Sequence, residues 1–138
     1  MRYATRSLLL LGGCFFLVAL CAGTACAQSL PPHLKDSHCP RLAKIHNETH
    51  YCKHLLRDLC GRNVALYRRM YATVKGESGW GAHAHNPSGA SGYAQFMPSW
   101  WAGRWHFDPY NGALNIRVFY YCVTHPRETG GWSNWPGH

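Results

Sequence analysis

Helical signals run from about Leu42 to about Leu59, and apolar residues spaced by three and four mark a second helix from Arg62 to Glu77, the two punctuated by Gly61. In the second, Val64, Tyr67, Met70, Tyr71 and Val74 form the apolar series. Glu77 continues that series, three residues after Val74 and seven after Met70, which sets a carboxylate on the buried face at the helix C-terminal end. A helix stopping at Lys75 would instead leave Glu77 in solvent. After Gly79 the periodicity ends, and Gly81, Asn86-Pro87, Gly89 and Gly92 read as a loop. A short helix is expected after Pro98, with Ser99 as its cap, carrying Trp100, Trp101 and Trp105. "FDPYN" reads as a turn, "GALNIRVFYYCVTH" as a last helix, and "PRETGGWSNWPGH" as a Gly- and Trp-rich tail. The expected fold class is mainly α, one small domain with a long irregular loop at its centre.

The first residues follow a different logic. Met1 to Arg6 carries two arginines, Ser7 to Ala22 is almost wholly apolar, and Ala25 and Ala27 supply an A-x-A cleavage signal. The expectation is a signal peptide over 1–27, an irregular N-terminal arm over 28–40 and the folded domain over 41–138. The apolar run is shorter than the roughly 20 residues of a spanning helix, so no stable membrane insertion is expected after processing. The expected location is secreted or periplasmic.

Removing 27 residues leaves 111, a small core for which covalent help is expected. Cys39, Cys52, Cys60 and Cys122 remain, an even number suggesting two disulfides. Cys52 and Cys60 share the run "ETHYCKHLLRDLC", where eight residues of helix hold them about 12 Å apart, too far for a bridge. That leaves 39–52 with 60–122, the favoured pairing, or 39–60 with 52–122. Fourteen Lys and Arg, less Arg2 and Arg6, leave twelve against six acids. Such a basic exported chain is drawn to polyanions, but the charges are scattered singly, and nucleic acid is not expected as a partner.

All six tryptophans fall between Trp80 and Trp135. Several adjoin Gly or Pro in loops, where aromatic faces suit the flat C–H surfaces of sugar rings. Two or three are expected in the core. Asn86, Ser91 and Gln95 would offer neutral donors and acceptors to hydroxyl and acetamido groups. A carboxylic acid beside them, its pKa raised by burial, suits protonation of a glycosidic oxygen.

"ESGW", five residues, then "NPSGASGYAQFMPSWW" resembles the soluble lytic transglycosylase family of the lysozyme-like superfamily. The matching positions are Glu77-Ser78, Asn86-Pro87-Ser88-Gly89-Ala90-Ser91-Gly92, Gln95 and Met97-Pro98. "FDPYNGALNIRVFYY" is similar to the family's Asp-Pro…Asn-Ile segment, and the likeness covers about Asn63 to Pro136. The resemblance implies a lysozyme-like fold and Glu77 as catalytic acid and then base. It further implies Asn86 and Gln95 beside the scissile bond, with Tyr93 and Ala94 lining the cleft. Tyr93-Ala94 stands where the family often has Leu-Met, and the Ala-Tyr-Asn-Ala-Gly motif is absent. Tyr110, Tyr120 and Tyr121 are the tyrosines that could stand in, Tyr110 being counted with Trp132 among the substrate-binding candidates.

The implied activity is that of a peptidoglycan lytic transglycosylase, a monomer whose partner is the glycan strand. Ordinary glycosidases need two carboxylates. Asp108 and Glu128 are the later acids, and Asp108 in "FDPY" reads as a turn residue. One Glu suffices where the sugar's own C6 hydroxyl closes on C1. The alternatives are a lysozyme-type hydrolase, using Asp108 to hold water, and a non-catalytic wall-binding module. No cofactor or metal is expected: His83 and His85 in "HAH" sit in a loop with no nearby thiol or carboxylate except Glu77. "NET" at Asn47 fits a glycosylation acceptor but falls within the predicted first helix.

Overall fold

The computed structural model describes residues 29–34 and 47–137. The leader expected over 1–27, Cys39 and residues 42–46 of the predicted first helix lie outside them. The described chain is mainly helical, with α1 at Glu48–Cys60, α2 at Val64–Ser78, α3 at Gly112–Thr124 and α4 at Pro126–Thr129. A π-helical turn occupies Ser99–Arg104, and 3-10 turns occupy Pro32–Leu34 and Gly131–Asn134. Between α2 and the π-helical turn the loop pairs with itself in isolated bridges, His85 with Ser91 and Ser91 with Phe96.

Asparagine starts three of the helices. Asn47, Asn63 and Asn111 each accept, through the side chain, the N–H three residues on, at 2.9, 3.0 and 3.1 Å. Asn47 therefore stands just outside α1 rather than within it, its carboxamide oxygen used as a cap. Gly61 and Gly79 end α1 and α2 at φ 53° and 60°, a region that favours glycine. The expected Ser99 cap is not formed: Pro98 stands at that position and Ser99 is the first residue of the turn itself.

α3 is buried on nearly every side, as expected of a helix with so few polar positions. It packs against α1 most closely at Gly112, where an added Cβ would strike the Glu48 carboxylate and the Tyr93 ring. Glu48 also accepts from the Gly112 N–H at 3.1 Å, a carboxylate at a helix N-terminus where the dipole favours it. Leu55, Leu56, Met70, Val74, Leu114, Ile116, Phe119 and Trp135 form the centre of the core. In the described part of the expected arm, 29–34, Leu30 and Leu34 are buried, and the His33 ring lies 5.4 Å from that of Tyr121.

The cysteine pairings need correction. α1 is continuous through Cys52 and Cys60, as the spacing argument assumed. Cys60 and Cys122, however, are both buried free thiols, which excludes the 60–122 bridge and also 52–122. Cys60 Sγ instead lies 3.9 Å from Met70 Sδ, and burial pushes the Cys60 thiol up. Both sulfurs serve as apolar filling of the core. Among the described residues, no helix is long and apolar enough to cross a membrane.

Candidate active site

Helix α2 runs on to Ser78, so the arrangement that would leave Glu77 beyond a helix ending at Lys75 does not occur. At 100° per residue, the buried Met70, Thr73 and Val74 mark an arc of about 100° on α2, and Glu77 falls inside it. Glu77 is half-buried because the helix ends one residue later and the chain turns away. Val64 departs from the predicted apolar series and is 54% exposed, since it begins α2 outside that arc.

Successive turns stitch the end of α2 to the loop. The Gly79 N–H bonds to Lys75 O, Gly81 N–H to Ser78 O at 2.9 Å, and Ala84 N–H to Gly81 O at 3.1 Å. Ala84 O then accepts both the Gly92 N–H at 2.9 Å and Gln95 Nε2 at 3.1 Å. Gln95 Nε2 donates as well to Gly92 O at 2.8 Å, so its carboxamide nitrogen is spent on the loop. Trp80 and Gln95, at the two ends of this stretch, both hold positive φ, 64° and 50°. Non-glycine residues rarely do so unless the surrounding contacts enforce it.

The predicted substrate contacts divide into two groups. Asn86 is half-buried, and its Oδ1 accepts from the N–H groups of Ser88 and Ala90 and from Ser88 Oγ at 2.6 Å, which folds the loop around it. Ser91 is fully buried, with its Oγ 3.0 Å from His85 Nδ1 and 3.3 Å from the Tyr110 hydroxyl. Tyr110 is exposed, its ring 5.8 Å from that of His83. Asn86, Ser91 and Gln95 thus lie on one loop, where His85, which sequence reasoning weighed only as half of a metal site, meets both Ser91 and Tyr110.

Tyr93 and Ala94 do not join these contacts. Both are fully buried, so their side chains have no open surface with which to line a cleft. The Tyr93 hydroxyl meets Thr49 Oγ1 at 3.2 Å, and burial pushes its phenol well above the usual range. Ala94 uses its N–H on Asn115 and its carbonyl on Trp135 Nε1. These contacts, reaching from α3 and the tail, hold the chain after Gly92 turned inward, with both side chains in the core. Trp132 stands apart from the loop cluster, half-buried at the edge of Phe119 with the Arg69 guanidinium 3.9 Å over its ring. Arg69, Thr73 and Glu77 repeat every four residues, so Arg69 lies about 12 Å before Glu77 along α2, on the same side.

Of the other tryptophans, Trp80, Trp105 and Trp135 belong to the core while Trp100 and Trp101 are half-exposed on the π-helical turn. Among the tyrosines that could replace the missing motif, Tyr121 is committed elsewhere. It donates to Glu128 at 2.5 Å, which with burial raises its phenol, and it stacks on His125. Three of the four other described acids have structural tasks. Asp108 Oδ1 accepts from the Tyr110 N–H at 2.9 Å, closing the expected turn, while Glu128 binds Tyr121 and Glu48 caps α3. Asp58 is exposed on α1.

Asn115 is the organising residue to which sequence reasoning assigned no role. The asparagine inside "GALNIRVF" is the signal: a buried amide on a largely apolar helix must have partners. Comparison of the chain with protein-family models, with characterised proteins and with solved structures returns no significant match.

Proposed function

We propose that the chain is a peptidoglycan lytic transglycosylase with a lysozyme-like fold and Glu77 as its acid and base. The observation that carries the reading is the position of Glu77, half-buried in the last turn of α2 and joined by consecutive turns to the loop that bears Asn86 and Gln95. A carboxylate at a helix C-terminus gains nothing from the dipole, so its placement there calls for another use. The structural tasks of Asp108, Glu128 and Glu48 favour a mechanism with one carboxylic acid over one that needs a second group to hold water.

In that mechanism the Glu77 carboxyl gives its proton to the oxygen bridging N-acetylmuramic acid and N-acetylglucosamine as the C1–O bond breaks. The neighbouring acetamido group stabilises the positive charge at C1. The Glu77 carboxylate then takes the proton of the C6 hydroxyl, whose oxygen closes on C1 to form a 1,6-anhydro ring. Orientation of the sugar replaces the bound water of a hydrolase. Gln95, tied to two carbonyls, and Asn86, tied to its own loop, shape this region by holding the backbone.

Digestion of purified cell wall in heavy-oxygen water tests the proposal. The expected product ends in anhydromuramic acid with no solvent oxygen at C1. A reducing end carrying the label, one water heavier, would move the assignment to a lysozyme-type hydrolase. Wall binding without any cleavage would leave only the binding module.

A further inference from the structure

A second feature lies around the side of α2, roughly 100° from Glu77. His50, Lys53, His54 and Arg57 follow one stripe of α1, spaced by three and four residues, the pattern by which helices usually bury apolar side chains. Here the stripe is basic. With Tyr67 and Tyr71 of α2 it lines a hollow of about 240 Å³, and among the described residues no carboxylate contributes to the lining. A second hollow of about 250 Å³ is lined by Arg57, Gly61, Val64, Tyr67 and Arg68. Arg57 and Tyr67 belong to both, so the two form one groove along the α1–α2 junction.

Tyr67 and Tyr71 line the groove between its cationic edges, with the buried Trp80 ring packed on Tyr71. The rings of Tyr67, Tyr71 and Trp80 follow one another at 5.8 and 5.0 Å. Lys53 Nζ is held over Tyr71 and Trp80, at 5.7 and 5.3 Å from the centroids. Bringing like charges together without an acid is unfavourable, and an anionic ligand removes that cost. A phosphate presents acceptor oxygens in several directions and can meet ammonium, guanidinium and imidazole groups at once, whereas a carboxylate offers acceptors in one plane. Two joined hollows suit a chain bearing one charge per repeat better than a single compact anion.

We propose that the groove between α1 and α2 binds a linear phosphodiester chain, with successive phosphates in the two hollows and Arg57 between them. The ligand is a polyol-phosphate polymer: the walls carry two tyrosines but no array of aromatic platforms for successive bases. This inference does not depend on the role of Glu77.

The test titrates the full chain with short poly(glycerol phosphate), using calorimetry and amide chemical shifts. Oligothymidylate, poly-glutamate and phosphatidylglycerol vesicles of matched charge serve as competitors. Expected are salt-sensitive binding of the polyol phosphate, with shifts concentrated at Lys53, Arg57, Tyr67 and Tyr71, and weakening on the order of tenfold in Arg57→Gln. Arg68→Gln should weaken the polymer but not glycerol phosphate monomer, while Arg127→Gln on α4 should change neither. Absent or scattered shifts, or equal losses in Arg57→Gln and Arg127→Gln, would overturn the site. Tighter binding of poly-glutamate, oligothymidylate or vesicles would overturn the ligand class.

Discussion

Asn115, fully buried on α3, accepts a hydrogen bond from the backbone N–H of Ala94 at 3.0 Å, across 21 positions of the chain. Its Nδ2 donates to Pro109 O at 2.9 Å, so one carboxamide ties the candidate-site loop and the "FDPY" turn to the central helix. Asn115→Leu keeps the volume and strands both partners in the core. The expected loss is about 2–5 kcal/mol in urea unfolding, with the slope unchanged. An unaltered midpoint would show that the amide has no such role.

Gly92 passes directly beneath this junction at φ 76°, where a Cβ would strike Pro109 O and the Asn115 amide. Neither obstacle is the end of a flexible side chain, and both are already hydrogen-bonded. Gly92→Ala should therefore cost about 2–4 kcal/mol, from backbone strain and overpacking together. Gly61→Ala has open space around it and should lose only the conformational part, so thermal melts of the two should differ.

Glu77→Gln preserves size and polarity but cannot donate the proton the proposed reaction needs. Turnover on cell wall should fall at least ~10²-fold, while the melting curve and wall binding persist. Near wild-type clearance by this variant would assign the acid to another residue.

Gln95 separates positioning from contact. Gln95→Ala loses the donations to Ala84 O and Gly92 O, and Gln95→Glu replaces those donors with an acceptor facing two carbonyls. Exchange of the Gly92 and Phe96 amides should quicken in both, more in Glu than in Ala, with the opening free energy lowered on the order of 1–3 kcal/mol. Equal exchange in all three proteins would return Gln95 to a simple surface role.

Burial pushes the Cys122 thiol from its ordinary 9.0 up to about 12, against a smaller opposite pull from Arg104. Its folded pKa is the higher one, so its contribution to stability is complete below pH 9 and lost as pH rises toward 12. The full swing is roughly 4 kcal/mol. Alkaline titration followed by circular dichroism should show this loss, reduced in Cys122→Ala. Alkylation of Cys60 and Cys122 at pH 8 should be slow until the chain is unfolded.

The periodic segments were legible because helix formation is a local matter. Spacing alone located α2 and the series that carries Glu77, though it left the end of that helix open between Lys75 and Glu77, and it marked α3 as a helix. Cap chemistry was equally local: Gly61 was read correctly, but Ser99 was taken for a cap it does not form and the asparagine caps were passed over.

What the sequence left open depends on contacts between distant residues. Tyr93 and Ala94 lie beside Gln95 in the chain, yet they turn into the core because Asn115 and Trp135 engage the Ala94 backbone from α3 and the tail. Cysteine parity suggested bridges, but the helices bring Cys60 against Met70 and leave Cys122 in its own apolar surroundings. The groove between α1 and α2 and the convergence of His85, Ser91 and Tyr110 each join segments that no single period or motif spans. Packing created both, because side chains far apart in sequence become neighbours only once burial of the core has set the helices against one another.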